Sequence, residues 1–255
     1  MVFAILLGFK HCLLINVRKK MKTIFHRANQ RGHAEHGWLS TYYSFSFADY
    51  YNPNMMGFGL LRVLNDDTIQ PGEGFGLHPH QNMEIVTIAL QGKLEHKDNT
   101  GGGGVIAPGE IQVMSAGTGV YHSEFNASKE EPVSLLQIWV MPEKLGVPPR
   151  YDQRKFDTKL FQNSIYNVVA PKGSDGLWLN QQTWFSLSQI EKGKSVAYEV
   201  HREGSGVYCF VIEGSVTIGD AELNRRDALG AWETSQLEIT AQQDAYLLFI
   251  EVPMA

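Results

Sequence analysis

GEGFGLHPHQNMEIVTIALQG (72–92) and VMSAGTGVYHSEF (113–125) decide how this 255-residue chain is read. The first carries His78-Pro79-His80 and the second His122-Ser123-Glu124, two pairs with the same one-residue gap. Residues i and i+2 of a strand point to the same face, so each pair sends two potential metal ligands into one space. Three imidazoles and a carboxylate suit zinc, iron, copper, nickel or manganese and exclude no common first-row ion. The residues between the pairs are β-like. IVTIAL (85–90) reads as a buried strand, Gln91-Gly92 and Pro108-Gly109-Glu110 as turns, and IQVM (111–114) alternates. Hairpins that return a second ligand pair opposite the first build a metal site in the mouth of a small β-barrel.

Outward from that stretch the chain stays β-like. An aromatic segment places Tyr43, Phe45 and Phe47 in strand alternation, and FGLLRVL (58–64) is the next strand. A Gly101-Gly102-Gly103-Gly104 turn separates the ligand-bearing hairpins, and LLQIWV (135–140) closes the first set. Pro142, Gly146, Pro148 and Pro149 mark a boundary, so 142–164 reads as a linker. From about Ile165 a second run of strands follows, with TWFSL (183–187), SVAYEV (195–200), VYCFVI (207–212), SVTI (215–218) and YLLFI (246–250). Its Glu213-Gly214 turn stands where Gln91-Gly92 stands in the first half, the mark of a divergent internal duplication. The expected class is all-β. A metal-binding unit over 21–141 is followed by a unit over 165–255 that keeps only His201 near a ligand position.

Composition narrows the function. A formal net charge of −5 gives no electrostatic reason to bind nucleic acid or an acidic membrane. Two cysteines, Cys12 and Cys209, are too few for a disulfide framework, which favours a reducing, cytoplasmic setting. Residues 1–20 are mostly apolar up to Val17, interrupted by Lys10-His11-Cys12, and end in Arg18-Lys19-Lys20. They lack the early charge and small-residue cleavage site of a secretory signal. The run also falls short of the roughly 20 residues a membrane span needs. Met21-Lys22-Thr23 reads as the start of the folded chain, with 1–20 an extension outside the fold. A reverse-oriented anchor with its basic cluster on the cytoplasmic side is the alternative.

The pattern from Gly72 to Asn126 resembles both cupin motifs: a glycine, five residues, H-x-H, three residues, Glu84 and Gly92, then Pro108-Gly109-Glu110, His122 and Asn126. More narrowly, RGHAEHGWL (31–39), FSFADYYNPNMMGFG (45–59), HPHQNMEIVT (78–87), MSAGTGVYHSEFN (114–126) and PRYDQRKF (149–156) resemble the pirin family, in its bacterial quercetin 2,3-dioxygenase-like branch. The resemblance implies two tandem cupin-type jelly-roll barrels face to face, with metal in the N-terminal one alone. It implies ligands at His78, His80, His122 and Glu124, and flavonol 2,3-dioxygenase activity. One divalent transition ion is expected, Fe2+ first, with Zn, Mn, Ni, Cu and Co also fitting the donor set. A flavonol and O2 are the expected partners of a monomeric chain, without nucleic acid or membrane.

The general cupin pattern offers Glu84 as the carboxylate instead of Glu124. Glu84 lies four residues after His80 and shares its parity if the strand runs on unbroken. Glu124 is favoured because H-x-E repeats the same-face geometry of H-x-H, leaving Glu84 to orient a histidine. His33 and His36 read as structural or pocket-edge residues, His96 as a solvated hairpin end, and His201 as a remnant or surface residue. Phe45, Phe47 and Phe58 read as core, and Phe75, close to the ligands, as either core or pocket lining. Chemically, Glu124 is the expected general base for the 3-hydroxyl of a flavonol. Two other classes stay open: a non-enzymatic metal-binding regulator acting through a protein partner, and a cupin enzyme of different chemistry.

Overall fold

The computed structural model describes residues 21–174 and 176–254, so the extension read over 1–20 lies outside the described residues. All regular structure among them is β apart from two single-turn 3-10 segments, Ala28–Gln30 and Thr158–Phe161. Each half is a seven-stranded sheet facing a four-stranded one, the jelly-roll plan used twice.

The N-terminal four-stranded sheet runs Gly74–His80, Val120–Asn126, Leu94–Asp98, Gly103–Ile106. Its C-terminal counterpart runs Ser195–Glu199, Gln236–Ala241, Ser215–Ile218, Ala221–Asn224, in the same chain order. The centres of the large sheets correspond likewise, Glu84–Gln91 beside Val133–Val140 in one and Ser205–Glu213 beside Ala245–Pro253 in the other. Both central strands end on a left-handed glycine, Gly92 at φ 72° and Gly214 at φ 80°. At each, a Cβ would run into the backbone of the neighbouring hairpin. The duplication read from the two turns is therefore built into the strand order.

The two large sheets pack through a single apolar core. Val86, Ile88, Leu136 and Ile138 of the first half meet Phe185, Tyr208, Phe210 and Leu248 of the second. Glu84 belongs to this interface. It is fully buried, and its carboxylate accepts from the Ser115 hydroxyl at 2.7 Å and the Asn180 backbone N–H at 3.0 Å. Asp66 adds a second polar tie, to Arg226 at 2.8 Å and Arg31 at 3.3 Å.

Two strands fall outside the bounds expected from the sequence. Lys22–His26, read with the first unit, pairs in register with Ala228–Trp232 and forms the edge of the C-terminal large sheet. Arg150–Lys155, inside the segment read as a linker, pairs with Glu110–Ser115 and forms the matching edge of the N-terminal one. The sequence RYDQRK is polar apart from Tyr151, so no hydrophobic period marks it, and backbone pairing with Glu110–Ser115 defines it as a strand. The aromatic strand also stops early. Leu39–Tyr43 is strand, whereas Phe47 pairs only with Tyr50 across a tight loop with Ala48 at φ 48°.

Gly92→Ala is expected to cost about 1–3 kcal/mol, because the left-handed φ is unfavourable for alanine and its Cβ would lie 2.6 Å from the Pro132 carbonyl oxygen. The midpoint of urea denaturation measures this, and an unchanged midpoint would show that the turn relaxes freely.

Candidate metal centre

The site is set by one antiparallel pair. Val120–Asn126 places His122 opposite His78 and Val120 opposite His80 on Gly74–His80. Alternate residues of both strands enter the barrel, so all three histidines converge. Ring centroids lie 4.4 Å apart for His78 and His122, 4.7 Å for His80 and His122, and 4.9 Å for His78 and His80. One nitrogen from each ring falls within 4.8 Å of the others, the spacing from which a single ion can be held.

Each ring is held differently. His78 Nδ1 lies 2.8 Å from the Gly76 carbonyl oxygen, which can only accept, so the proton sits on Nδ1 and Nε2 offers a lone pair. His80 packs against the edge of Trp139, centroids 4.9 Å apart. His122 Nδ1 lies 3.2 Å from His96 Nδ1, while its Nε2 is buried without a hydrogen-bond partner.

Glu124 follows a break in register. Between His122 and Glu124 the facing residue moves from His78 to Phe75, three residues against two, a bulge in Gly74–His80 that leaves Glu124 on the same buried face as His122. Glu124 forms a second close group with His122 and His96. Its Oε2 accepts from Gln137 Nε2 at 2.8 Å, at the end of a chain in which Gln112 donates to Thr87 and Thr87 to Gln137. Its Oε1 is buried and unpartnered.

Burial governs the charges here. It lowers His122 to about 2, helped by the neighbouring histidines His78, His80 and His96, and lowers His80 to about 4. Both rings are therefore neutral at ordinary pH, the form that binds metal. Burial raises the Glu124 carboxyl to about 7 against the Gln137 hydrogen bond, with Asp67 adding to the rise. Asp67 itself is raised to about 7 by the same burial. A donor set of three imidazoles, with an orphaned Nε2 on His122, beside an orphaned Glu124 Oε1 fits a divalent cation well.

Glu84 is not in this group. Asn82, at φ 50°, turns the chain between Gly74–His80 and Glu84–Gln91, which lie in different sheets, so the parity counted from His80 is lost. His96, read as a solvated hairpin end, is fully buried beneath the trio and contacts Asp98 through Nε2 at 3.2 Å. The alternation Leu94, His96, Asp98 against Glu95 and Lys97 was the available signal for that inward face. Gln137 and Trp139 share the same parity on Val133–Val140 and were passed over inside an apolar run. His33 and His36 stay exposed and away from the trio, His33 stacked on Tyr42 at 4.3 Å. His201, read as a remnant or surface residue, is held by the buried Glu251 at 2.8 Å and stacks on Trp184.

Between about pH 4.5 and about 7 the folded, metal-free chain keeps the Glu124 proton that the unfolded chain has lost, so this group's contribution to stability is lost as pH rises through that window. Glu124→Gln removes the loss. The stability difference, variant minus wild type, is expected to grow by up to about 3 kcal/mol between acid and mildly alkaline pH. Thermal melts of chelator-treated protein measure it, and a pH-independent difference would contradict burial as the cause.

The described residues contain no helix long and apolar enough to cross a membrane. Residues 24–140 match the family model Pirin, and residues 167–252 match that of the quercetinase C-terminal cupin domain. The chain is 42% identical to quercetin 2,3-dioxygenase of Escherichia coli K12 over 227 residues, covering 89% of this chain and 97% of that protein. It is 36% identical to a putative quercetin 2,3-dioxygenase of Pseudomonas aeruginosa, covering 87% of this chain and 95% of that one. Among solved structures, the bacterial pirin YhhW of E. coli in complex with nickel(II) superposes with a TM-score of 0.86 at 40% identity, covering 92% of this chain and all of that one (100%). The chain is a member of the pirin family, a two-cupin protein whose N-terminal barrel carries the histidine cluster.

Proposed function

We propose that the protein is a metal-dependent dioxygenase that cleaves flavonols such as quercetin with O2. The observation that carries this reading is the imidazole trio His78, His80 and His122, with Glu124 buried beside it and one carboxylate oxygen unpartnered. These four residues are the proposed metal ligands, and Glu124 is also the proposed base. The N-terminal unit, 21–141, is the metal-binding part, and the C-terminal unit, 165–255, is its scaffold. A divalent transition ion there would supply positive charge to stabilise an enolate and a template for flavonol and O2. Fe2+ is the proposed native ion, and the nickel(II) bound by the E. coli relative supports a site that accepts more than one.

The chain's own part is positioning and proton transfer. Glu124 takes the proton of the flavonol 3-hydroxyl as the general base. The Gln137 donor keeps the carboxylate from turning away. Trp139 walls His80 on one side and lines, with Phe47, Tyr50, Met83 and Met141, a cavity of about 340 Å3 on the other. Its aromatic and thioether side chains can contact a flat aromatic molecule, and none of the four proposed ligands lines it.

Oxygen uptake by Fe2+-reconstituted protein with quercetin tests the reading. Uptake is expected to require the flavonol and to vanish in His122→Ala through loss of metal. Glu124→Gln is expected to lower kcat by roughly 100-fold or more while losing proportionately less metal. Full turnover in that variant would remove Glu124 as the base. No uptake with Fe2+, Mn2+, Ni2+ or Cu2+ would leave a metal-binding protein without turnover, the regulator reading.

A further inference from the structure

We propose that Asp98 and His96 are positioning residues that fix the tautomer of His122 and thereby set the affinity of the metal centre, an inference that rests on His122 being a ligand. Leu94–Asp98 lies on the other side of Val120–Asn126 from the His78 strand, with Asp98 opposite His122 and His96 opposite Glu124. Asp98 is strongly anchored. Its Oδ1 accepts from the Thr100 N–H at 2.8 Å, the Thr100 hydroxyl at 2.7 Å and the Gly102 N–H at 2.9 Å. Only Oδ2 remains, and it faces His96 Nε2 at 3.2 Å.

The proton positions then follow in sequence. An anchored carboxylate only accepts, so His96 Nε2 donates and its Nδ1 is a bare acceptor. That acceptor lies 3.2 Å from His122 Nδ1, which must therefore carry the His122 proton. The lone pair of His122 is left on Nε2, the buried nitrogen without a partner. The carboxylate thus selects, through His96, which His122 nitrogen keeps its lone pair. Packing holds the relay still: Tyr151 stacks on His96 with centroids 4.7 Å apart and planes 21° apart. The glycine turn serves the same end. A Cβ on Gly102 would collide with Asp98 Oδ2 and come within 2.6 Å of Tyr151 Cβ.

Asp98→Asn tests this without disturbing the shape. Three donors still demand an oxygen at the Oδ1 position, so the amide nitrogen must face His96. His96 Nε2 then accepts, its Nδ1 carries the proton, and His122 is driven to protonate Nε2. Long-range proton–nitrogen NMR of metal-free protein is expected to show His122 protonated on Nδ1 in the wild type and on Nε2 in the variant. Ni2+ affinity by titration calorimetry is expected to fall about 10–100-fold, with the metal-free melting temperature little changed. His96→Phe, which keeps a ring against Tyr151, is expected to lose affinity similarly. Wild-type His122 protonated on Nε2 overturns the proposal, as does an Asp98→Asn variant that folds and binds Ni2+ as tightly as wild type. Wild-type protein with the expected tautomers that takes up no Ni2+ overturns the ligand reading, and with it the effect on metal affinity, while the tautomer assignment holds.

Discussion

Burial of polar side chains inside a small β-barrel sets the terms for this molecule. Val120–Asn126 turns His122, Glu124 and Asn126 inward, where none is more than 4% exposed. An unpaired charge in such a place is costly, so the group gives up its charge or finds partners. The barrel does both. His80 and His122 are held neutral, Asn126 donates to backbone carbonyls, and Gln112, Thr87 and Gln137 pass hydrogen bonds toward Glu124. What is left over, a lone pair on His122 and an oxygen of Glu124, is what the proposed ion would satisfy.

The second barrel shows the same plan without that demand. Its inward residues are Val207, Cys209, Val211, Leu237, Ile239 and Phe249, a close-packed apolar filling. Where one half sets His78 opposite His122, the corresponding strands of the other set Tyr198 opposite Leu237. Its buried carboxylates are already engaged: Glu251 accepts from the backbone N–H groups of His201 and Arg202, the His201 ring and the Tyr198 hydroxyl, and Asp227 from Arg27 and the Ala28 and Asn224 N–H groups. Packed against the first half through the shared core, with Glu84 and Asp66 fixing the contact, it supports the large sheet from which Gln137 and Trp139 project.

Strand parity made much of this legible in the sequence. The β class, the turn at Gln91-Gly92 and its echo at Glu213-Gly214 all follow from period-two patterning and turn chemistry, and the structure has them in matching places. The convergence of His78, His80 and His122 followed from the same rule. Parity failed at Glu84, because it holds only within one strand and Asn82 starts another. It was not applied at His96, whose charged neighbours Glu95 and Lys97 masked an inward face. Edge strands such as Lys22–His26 and Arg150–Lys155 are joined by backbone pairing across large sequence separations, a constraint that local pattern does not record. The bulge beside Glu124 is of the same kind: it depends on the partner strand, and His-Ser-Glu alone does not reveal it.

The central claim is that three histidines and a glutamate of the N-terminal barrel hold one metal ion. Anomalous X-ray scattering from crystals of the Fe2+- or Ni2+-loaded protein tests it most directly. The expected result is a single peak per chain among His78, His80 and His122, within bonding distance of a Glu124 oxygen. A peak at His201 and Glu251, at His33 and His36, or one that Glu124 does not reach would contradict it.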